Sequence, residues 1–215
     1  LGDYDTIPLS RGIFLDVTRR LNEKICDYIS SSFYESRLKS HPITKERSVT
    51  LKLEKIGNEG IFYLPVNHQD CTQKSDEEAK IIKDYIKKII GKNYNENNKQ
   101  GKISGKDIMV VAPFNMQVNN LKKIINQKDI RIGTIDKFQG QEAKIVYISM
   151  TSSDPDNLPR HKEFFFSRNR LNVAISRAQC VAVILFNPKL LVADCQKINE
   201  IRLINNFCKL LKYKV

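Results

Sequence analysis

The residues best suited to chemistry are two arginines in one short segment and a glycine-bearing string upstream of them. Residues 133 to 142 read GTIDKFQGQE, an apolar start running into a turn. In such a turn the Gly140 amide can approach a phosphate with no side chain in the way. Arg170 and Arg177 stand seven residues apart in RLNVAISRA. On a helix over Leu171 to Ala178 that spacing makes them project within about 20° of each other, two cations along one edge. Guanidiniums so placed can neutralise charge that develops on a phosphoryl group in transfer. Each feature also has an ordinary explanation. A lone arginine at a buried edge is usually a salt-bridge partner, and a lone Phe-Gln-Gly is a common turn.

A domain that binds a nucleotide by itself needs a glycine-rich loop closed by Lys and Ser or Thr, whose amides cradle phosphates and whose hydroxyl holds magnesium. The nearest string is GKISGKD at residues 101 to 107. It is one residue short, ends in Asp107, and precedes a strand where the mechanism needs it to follow one. The chain therefore lacks its own phosphate loop.

The elements that would position these residues alternate. Gly12 to Val17 reads as a strand. Leu21, Ile25, Ile29 and Phe33 recur every four residues and predict an amphipathic helix. Gly60 to Val66 is rich in β-branched and aromatic residues, with Pro65 closing the strand. Ser75 stands three residues before Glu78, a capping-box spacing, and Ala79, Ile82, Ile86 and Ile89 form the apolar stripe of the helix it opens. Residues 91 to 106 are polar, glycine-containing and aperiodic, and read as a mobile surface insertion. Asp107 to Ala112 is a continuous apolar run of the kind buried on both faces of a parallel sheet. A helix through Val118, Leu121, Ile124 and Ile125 follows it. Ile130 to Ile135, Ala143 to Met150 and Cys180 to Phe186 give three more strands, and the chain beyond Pro188 reads as mostly helical. Strands alternating with helices predict one doubly wound α/β domain over residues 1–215, with ligands at the carboxyl ends of the strands.

The charge balance suits a polyanionic partner. Thirty-six Lys and Arg against 24 Asp and Glu give +12, with a pI near 9.5. Much of that charge sits on outer helix faces, where solubility alone accounts for it. The five cysteines are odd in number, widely spaced and without a CxxC pair, so they read as reduced thiols. His41, His68 and His161 have no metal-ligand spacing and read as surface histidines, and no metal ligand set is expected. No apolar run approaches the roughly 20 residues that span a bilayer, and the N-terminus lacks a signal-peptide layout. A soluble, intracellular protein is expected, cytoplasmic or, in a eukaryote, nuclear, with no membrane partner.

Three segments, in order, resemble superfamily 1 helicases, in the branch that holds the nonsense-mediated-decay helicase and RecB-like nuclease-helicase fusions. LDVTRRL at 15 to 21, followed by FYESRL at 33 to 38, is similar to the family's YRMHP arginine motif and its downstream FYEGRL, with Arg20 in the arginine's place. Here Arg19 replaces the usual Tyr, and Asn22-Glu23 the usual His-Pro. The string at 133 to 142 resembles motif V, and RLNVAISRA resembles motif VI. Residues 112 to 117, APFNMQ, are similar to TPYxxQ, with Ala112 and Phe114 in place of Thr and Tyr. Asn187-Pro-Lys189 matches the family's NPK. Gly2-Asp3 resembles another helicase string, but Thr6 stands where a phosphate-sensing Gln belongs, and chance explains it. Phe164 to Phe166 reads as core packing beside motif VI, with base stacking as the other use of such rings.

The resemblance implies a RecA-like fold of the P-loop NTPase class, specifically the second motor domain. It implies Arg20 and Arg177 as catalytic cations, Arg177 as an arginine finger, and Gln139, Gly140, Glu142 and Arg170 as contacts to the nucleotide. Thr134, Asn115 and Lys137 are the implied contacts to a single strand, with DNA preferred to RNA and the sequence itself compatible with either. The cofactor would be ATP with Mg2+, the metal held by an N-terminal RecA-like domain of the same protein. A 5′ to 3′ polarity rests on the resemblance alone. A chain that begins at Leu1 without a phosphate loop reads as part of a longer protein. The contrasting expectation is a non-catalytic binding module that kept the fold and lost the ATPase.

Overall fold

The computed structural model describes residues 10–96, 99–156, 158, 162–195 and 197–212, so Gly2-Asp3 and His161 lie outside the described residues. Along the chain run β1 (Val17–Thr18), α1 (Glu23–Phe33), β2 (Lys39–Ser40), β3 (Ser48–Val49), β4 (Gly60–Pro65) and α2 (Asp76–Ile89). After them come β5 (Asn93–Glu96), β6 (Lys99–Lys102), β7 (Ile108–Val111), α3 (Asn115–Ile125), β8 (Arg131–Gly133) and β9 (Ala143–Ser149). The last elements are α4 (Lys162–Phe165), α5 (Arg168–Ile175), β10 (Ala178–Phe186) and α6 (Ile198–Lys212).

The centre is a five-stranded, all-parallel sheet in the order β4-β10-β9-β7-β8. Its side chains alternate between two cores, as the two-residue period of a strand requires. Met109, Val111, Val146, Ile148, Ala182 and Ile184 face a core shared with Ile25 of α1, Ala174 of α5 and Phe207 of α6. Ile108, Val110, Ile145, Tyr147, Val181 and Val183 face the other, shared with Ile82 of α2 and Leu121 of α3. Helices thus cover both faces, the RecA-like arrangement. This is why β7 is apolar at every position and β10 at every position but Gln179: both of their faces are buried. Pro65 sits on β4, an edge strand. Truncating Ile82, fully buried, to Ala costs about 2–5 kcal/mol in such a core.

Three expectations need correction. The strand over Gly12 to Val17 shrinks to β1, two residues paired with β2, and Ile13 and Leu15 are exposed. The segment 91 to 106, expected as an irregular, mobile insertion, holds the β5–β6 hairpin, which pairs antiparallel with β3. Tyr94 explains the hairpin. Its ring lies over Gly101, where a Cβ would come within 2.5 Å of it, and under the Lys144 ammonium at 4.1 Å. Thirdly, α5 ends at Ile175, so Arg177 lies beyond the helix and the helical register that paired it with Arg170 does not hold.

Candidate nucleotide and nucleic-acid sites

Two groups of motif residues form at opposite ends of the sheet. The first lies at the amino ends of β9 and β10. Glu142 immediately precedes β9, and Arg177 immediately precedes β10. Arg20 arrives from the loop between β1 and α1. That loop is fixed by Asn22, which caps α1 through Ile25 N (3.0 Å) and donates Nδ2 to the Cys180 carbonyl on β10 (2.9 Å). Arg20 Nε donates to Glu142 Oε2 at 2.8 Å, and Gln179 Nε2 donates to Glu142 Oε1 at 2.7 Å. Arg177 Nε donates to the Val173 carbonyl (3.2 Å), and its Nη1 to the Gln141 carbonyl (3.3 Å). Burial, and then the neighbouring charge of Arg20, hold the Arg177 guanidinium below its ordinary pKa, while Glu142 acts in the opposite sense. Two guanidiniums and one carboxylate from three separate segments therefore share one spot.

Gly140 occupies the turn before Glu142 with φ 78°, and nothing stands within 4 Å of where its Cβ would be. That left-handed conformation favours glycine. Gln139 and Lys137 flank it and are exposed.

The second group lies at the carboxyl ends of β7 and β8, where Asn115 opens α3 and Thr134 follows β8. Asn115, Met116, Thr134, Asp136, Phe164 and Arg170 line an open groove of about 480 Å³, within the size range of ligand sites. Arg170 Nη2 donates to Asp136 Oδ2 at 3.2 Å, and its guanidinium lies 4.3 Å over the Phe164 ring. Arg170, expected beside Arg177 on the nucleotide, thus stands with Thr134 and Asn115. The two arginines mark the two ends of α5. Phe165 and Phe166 are core residues, and Phe164 alone of the three lines the groove.

The buried carboxylate of Glu78 was missed from sequence. Ser75 caps α2 as expected, its Oγ accepting from Glu78 N at 3.1 Å. The Glu78 side chain turns inward instead of completing a capping box. It accepts from Ser149 Oγ and from Thr151 N (3.0 Å), and it faces His68 Nε2 at 3.3 Å. His68, expected on the surface, is buried, with Nδ1 2.6 Å from Ser153 Oγ. Gln117, the glutamine of the APFNMQ string, is buried in the same place and bonds Ser75 N and Ser149 Oγ. The sequence held one signal: Glu78 falls on the apolar stripe of α2, one turn before Ile82.

A parallel-sheet domain with helices on both faces, which gathers arginines against a glycine turn at one end and has a polar and aromatic groove at the other, is of the RecA-like α/β class. The family model described as AAA domain matches residues 8–189, and the chain belongs to that family, within the superfamily 1 helicases. It is 28% identical over 193 residues to the DNA polymerase alpha-associated DNA helicase A of Saccharomyces cerevisiae, covering 83% of this chain and 28% of that protein. An uncharacterised ATP-dependent helicase of Methanocaldococcus jannaschii is 27% identical over 202 residues, 84% of this chain and 27% of its own. The RNA helicase Mov10l1 of Mus musculus is 38% identical over 98 residues, 43% of this chain and 8% of its own. The chain thus spans less than a third of the length of these relatives. Among the described residues no helix is long and apolar enough to cross a membrane.

Proposed function

We propose that this chain is the second RecA-like domain of an ATP-dependent helicase and completes an ATP site whose phosphate loop belongs to a preceding domain. The observation that carries the reading is the meeting of Arg20, Arg177 and Glu142 beside Gly140. These donors suit a polyphosphate: two guanidiniums, and an amide in a turn open at its Cα. When bound, ATP supplies the phosphoryl group that water attacks. Arg20 and Arg177 stabilise the charge that builds on its outer oxygens, and Gln139 and Glu142 orient the nucleoside end. Among the described residues no three His, Cys, Asp or Glu side chains gather as a metal site, and magnesium is assigned to the preceding domain.

The second part of the reading is a grip on single-stranded nucleic acid. Thr134, Asn115 and Lys137 would hold backbone phosphates, helped by the +12 charge. DNA is the proposed strand, because a relative named as a DNA helicase aligns with 83% of the chain. Closure of the two domains on ATP and their reopening after hydrolysis would move the strand. The test is ATP hydrolysis by the complete protein with and without single strands. Strand-stimulated turnover that needs Arg177, with a silent isolated chain, is expected. A complete protein that binds strands and never hydrolyses ATP would leave a binding module.

A further inference from the structure

Arg20 projects from a loop next to a two-residue strand, a weak support for a cation that must meet a phosphate to within a fraction of an ångström. Its guanidinium is held by Glu142. Its backbone is held by Arg47, whose Nη1 donates to the Arg19 carbonyl at 3.0 Å and the Arg20 carbonyl at 2.9 Å. Neither carbonyl belongs to a helix or sheet, so a side-chain donor satisfies what secondary structure does not. Arg47 also pairs in charge with Glu96 at the end of β5, whose Oε1 lies 3.1 Å from Nε without hydrogen-bond geometry. The other Glu96 oxygen pairs with Lys144 at 3.2 Å, and Lys144 pairs with Asp107 at 3.2 Å. The four side chains are 11 to 26% exposed, well shielded for ion pairs.

We propose that the β5–β6 hairpin is a brace for Arg20, in which Glu96 fixes Arg47 and Arg47 fixes the Arg19–Arg20 backbone, setting the Arg20 guanidinium for a nucleoside triphosphate. Arg47 and Glu96 are positioning residues and touch no substrate. The inference rests on Arg20 acting on the nucleotide.

A double-mutant cycle in the complete protein tests it, read as kcat and KM for ATP with saturating single strand. Glu96→Gln keeps the shape and removes the charge. Arg47→Lys keeps the charge but has a single nitrogen, which cannot serve the two carbonyls and face Glu96 at the same time as Nη1 and Nε do. Each is expected to lower kcat roughly ten- to a hundredfold, with KM for ATP within about twofold and a melting temperature lowered by only a few degrees, so that the variant is fully folded at the assay temperature. In an Arg20→Ala background neither has a further effect, because the group they position is gone. Lys99→Ala, on the same hairpin outside the ion-pair chain, keeps wild-type turnover. If Arg20→Ala loses most of its turnover while Glu96→Gln turns over normally, or Glu96→Gln lowers the residual kcat of Arg20→Ala by the same factor as it lowers that of the wild type, the brace is refuted and the site stands. Wild-type turnover by Arg20→Ala overturns both.

Discussion

Arg20 and Glu142, 122 residues apart in sequence, form a direct ion pair, Nε to Oε2 at 2.8 Å, at the amino end of β9. The pair joins a loop arginine to the acid that closes the glycine turn. The same acid also accepts from Gln179. Glu142 therefore sets where Arg20 rests before any nucleotide arrives. Removing it frees the cation without removing the charge.

Glu142→Gln in the complete protein is accordingly expected to lower kcat for ATP while leaving the fold intact. Both side chains of the ion pair are about a third exposed or more, so its loss costs stability about 1 kcal/mol at most. Steady-state hydrolysis beside a urea melt separates the two effects. Wild-type kcat in this variant would show that the pair is a surface contact and nothing more.

Arg177→Ala should cost hydrolysis far more than nucleotide binding, because an arginine finger acts on charge that develops in the transition state. Such residues are worth roughly 10³- to 10⁵-fold in rate. Lys at this position rescues only partly, since one ammonium cannot reproduce a guanidinium reaching two carbonyls and a phosphate. Hydrolysis rates and nucleotide dissociation constants for the same preparations decide it. Turnover within a few-fold of wild type would make Arg177 a structural tie between Val173 and Gln141.

If the groove holds the strand as proposed, Asp136, which already pairs with Arg170, competes with its phosphates for that guanidinium. Asp136→Asn is expected to tighten single-strand binding several-fold. Arg170→Ala should weaken it and reduce the slope of log K against log salt by about one. Fluorescence anisotropy from 50 to 300 mM salt, roughly the range in which counterion release is read, measures both. Unchanged slopes would place the strand elsewhere.

Glu78→Ala strips partners from Thr151 N, Ser149 Oγ and His68 in a fully buried setting. A loss of about 3 kcal/mol follows, or about 6–12 °C in Tm for a domain of this size. Glu78→Gln, which keeps an acceptor, loses less. Equal stability of Glu78→Ala and wild type in urea would contradict the assignment.

Burial pushes the Cys180 thiol up to about 12 and the Cys26 thiol up to about 11. In the unfolded chain both ionise near 9, so the folded state binds more protons between these values. Stability is fully present below pH 9 and falls as pH rises towards 11 and 12. Alkylation at pH 8 should modify neither thiol until urea unfolds the protein. Rapid native labelling of Cys180 would count against the parallel sheet that covers it.

The sequence reveals the sheet where burial is complete. The apolar runs of β7 and β10 leave no other reading, whereas the motif arginines divide: Arg20 and Arg177 meet beside Glu142, and Arg170 stands at the other end of the sheet. What it conceals is set by partners far along the chain. The hairpin is polar and escapes a search for apolar periodicity, yet Tyr94 packs on Gly101 across the ladder and Glu96 meets Arg47 and Lys144. Ile13 and Leu15 look like a strand, but only Val17 and Thr18 find a pairing neighbour. Glu78 mimics a cap because the first turn of a helix and its buried face coincide there. Arg170 and Arg177 seemed side by side because a seven-residue spacing assumes a helix that ends two residues too early.

Helix α5 begins at Arg168, two residues before the groove's arginine, and stops at Ile175, two residues before the arginine beside Glu142. Its eight residues make a rod about 12 Å long that hydrogen bonds keep from stretching. A rod of fixed length is a push-rod. Were a strand to draw Arg170 away from Asp136, the element it would load is the same short helix that leads, through Val173 and the Ser176 turn, into the backbone of Arg177. The groove at one end of the sheet and the arginine at the other thus share one stiff support.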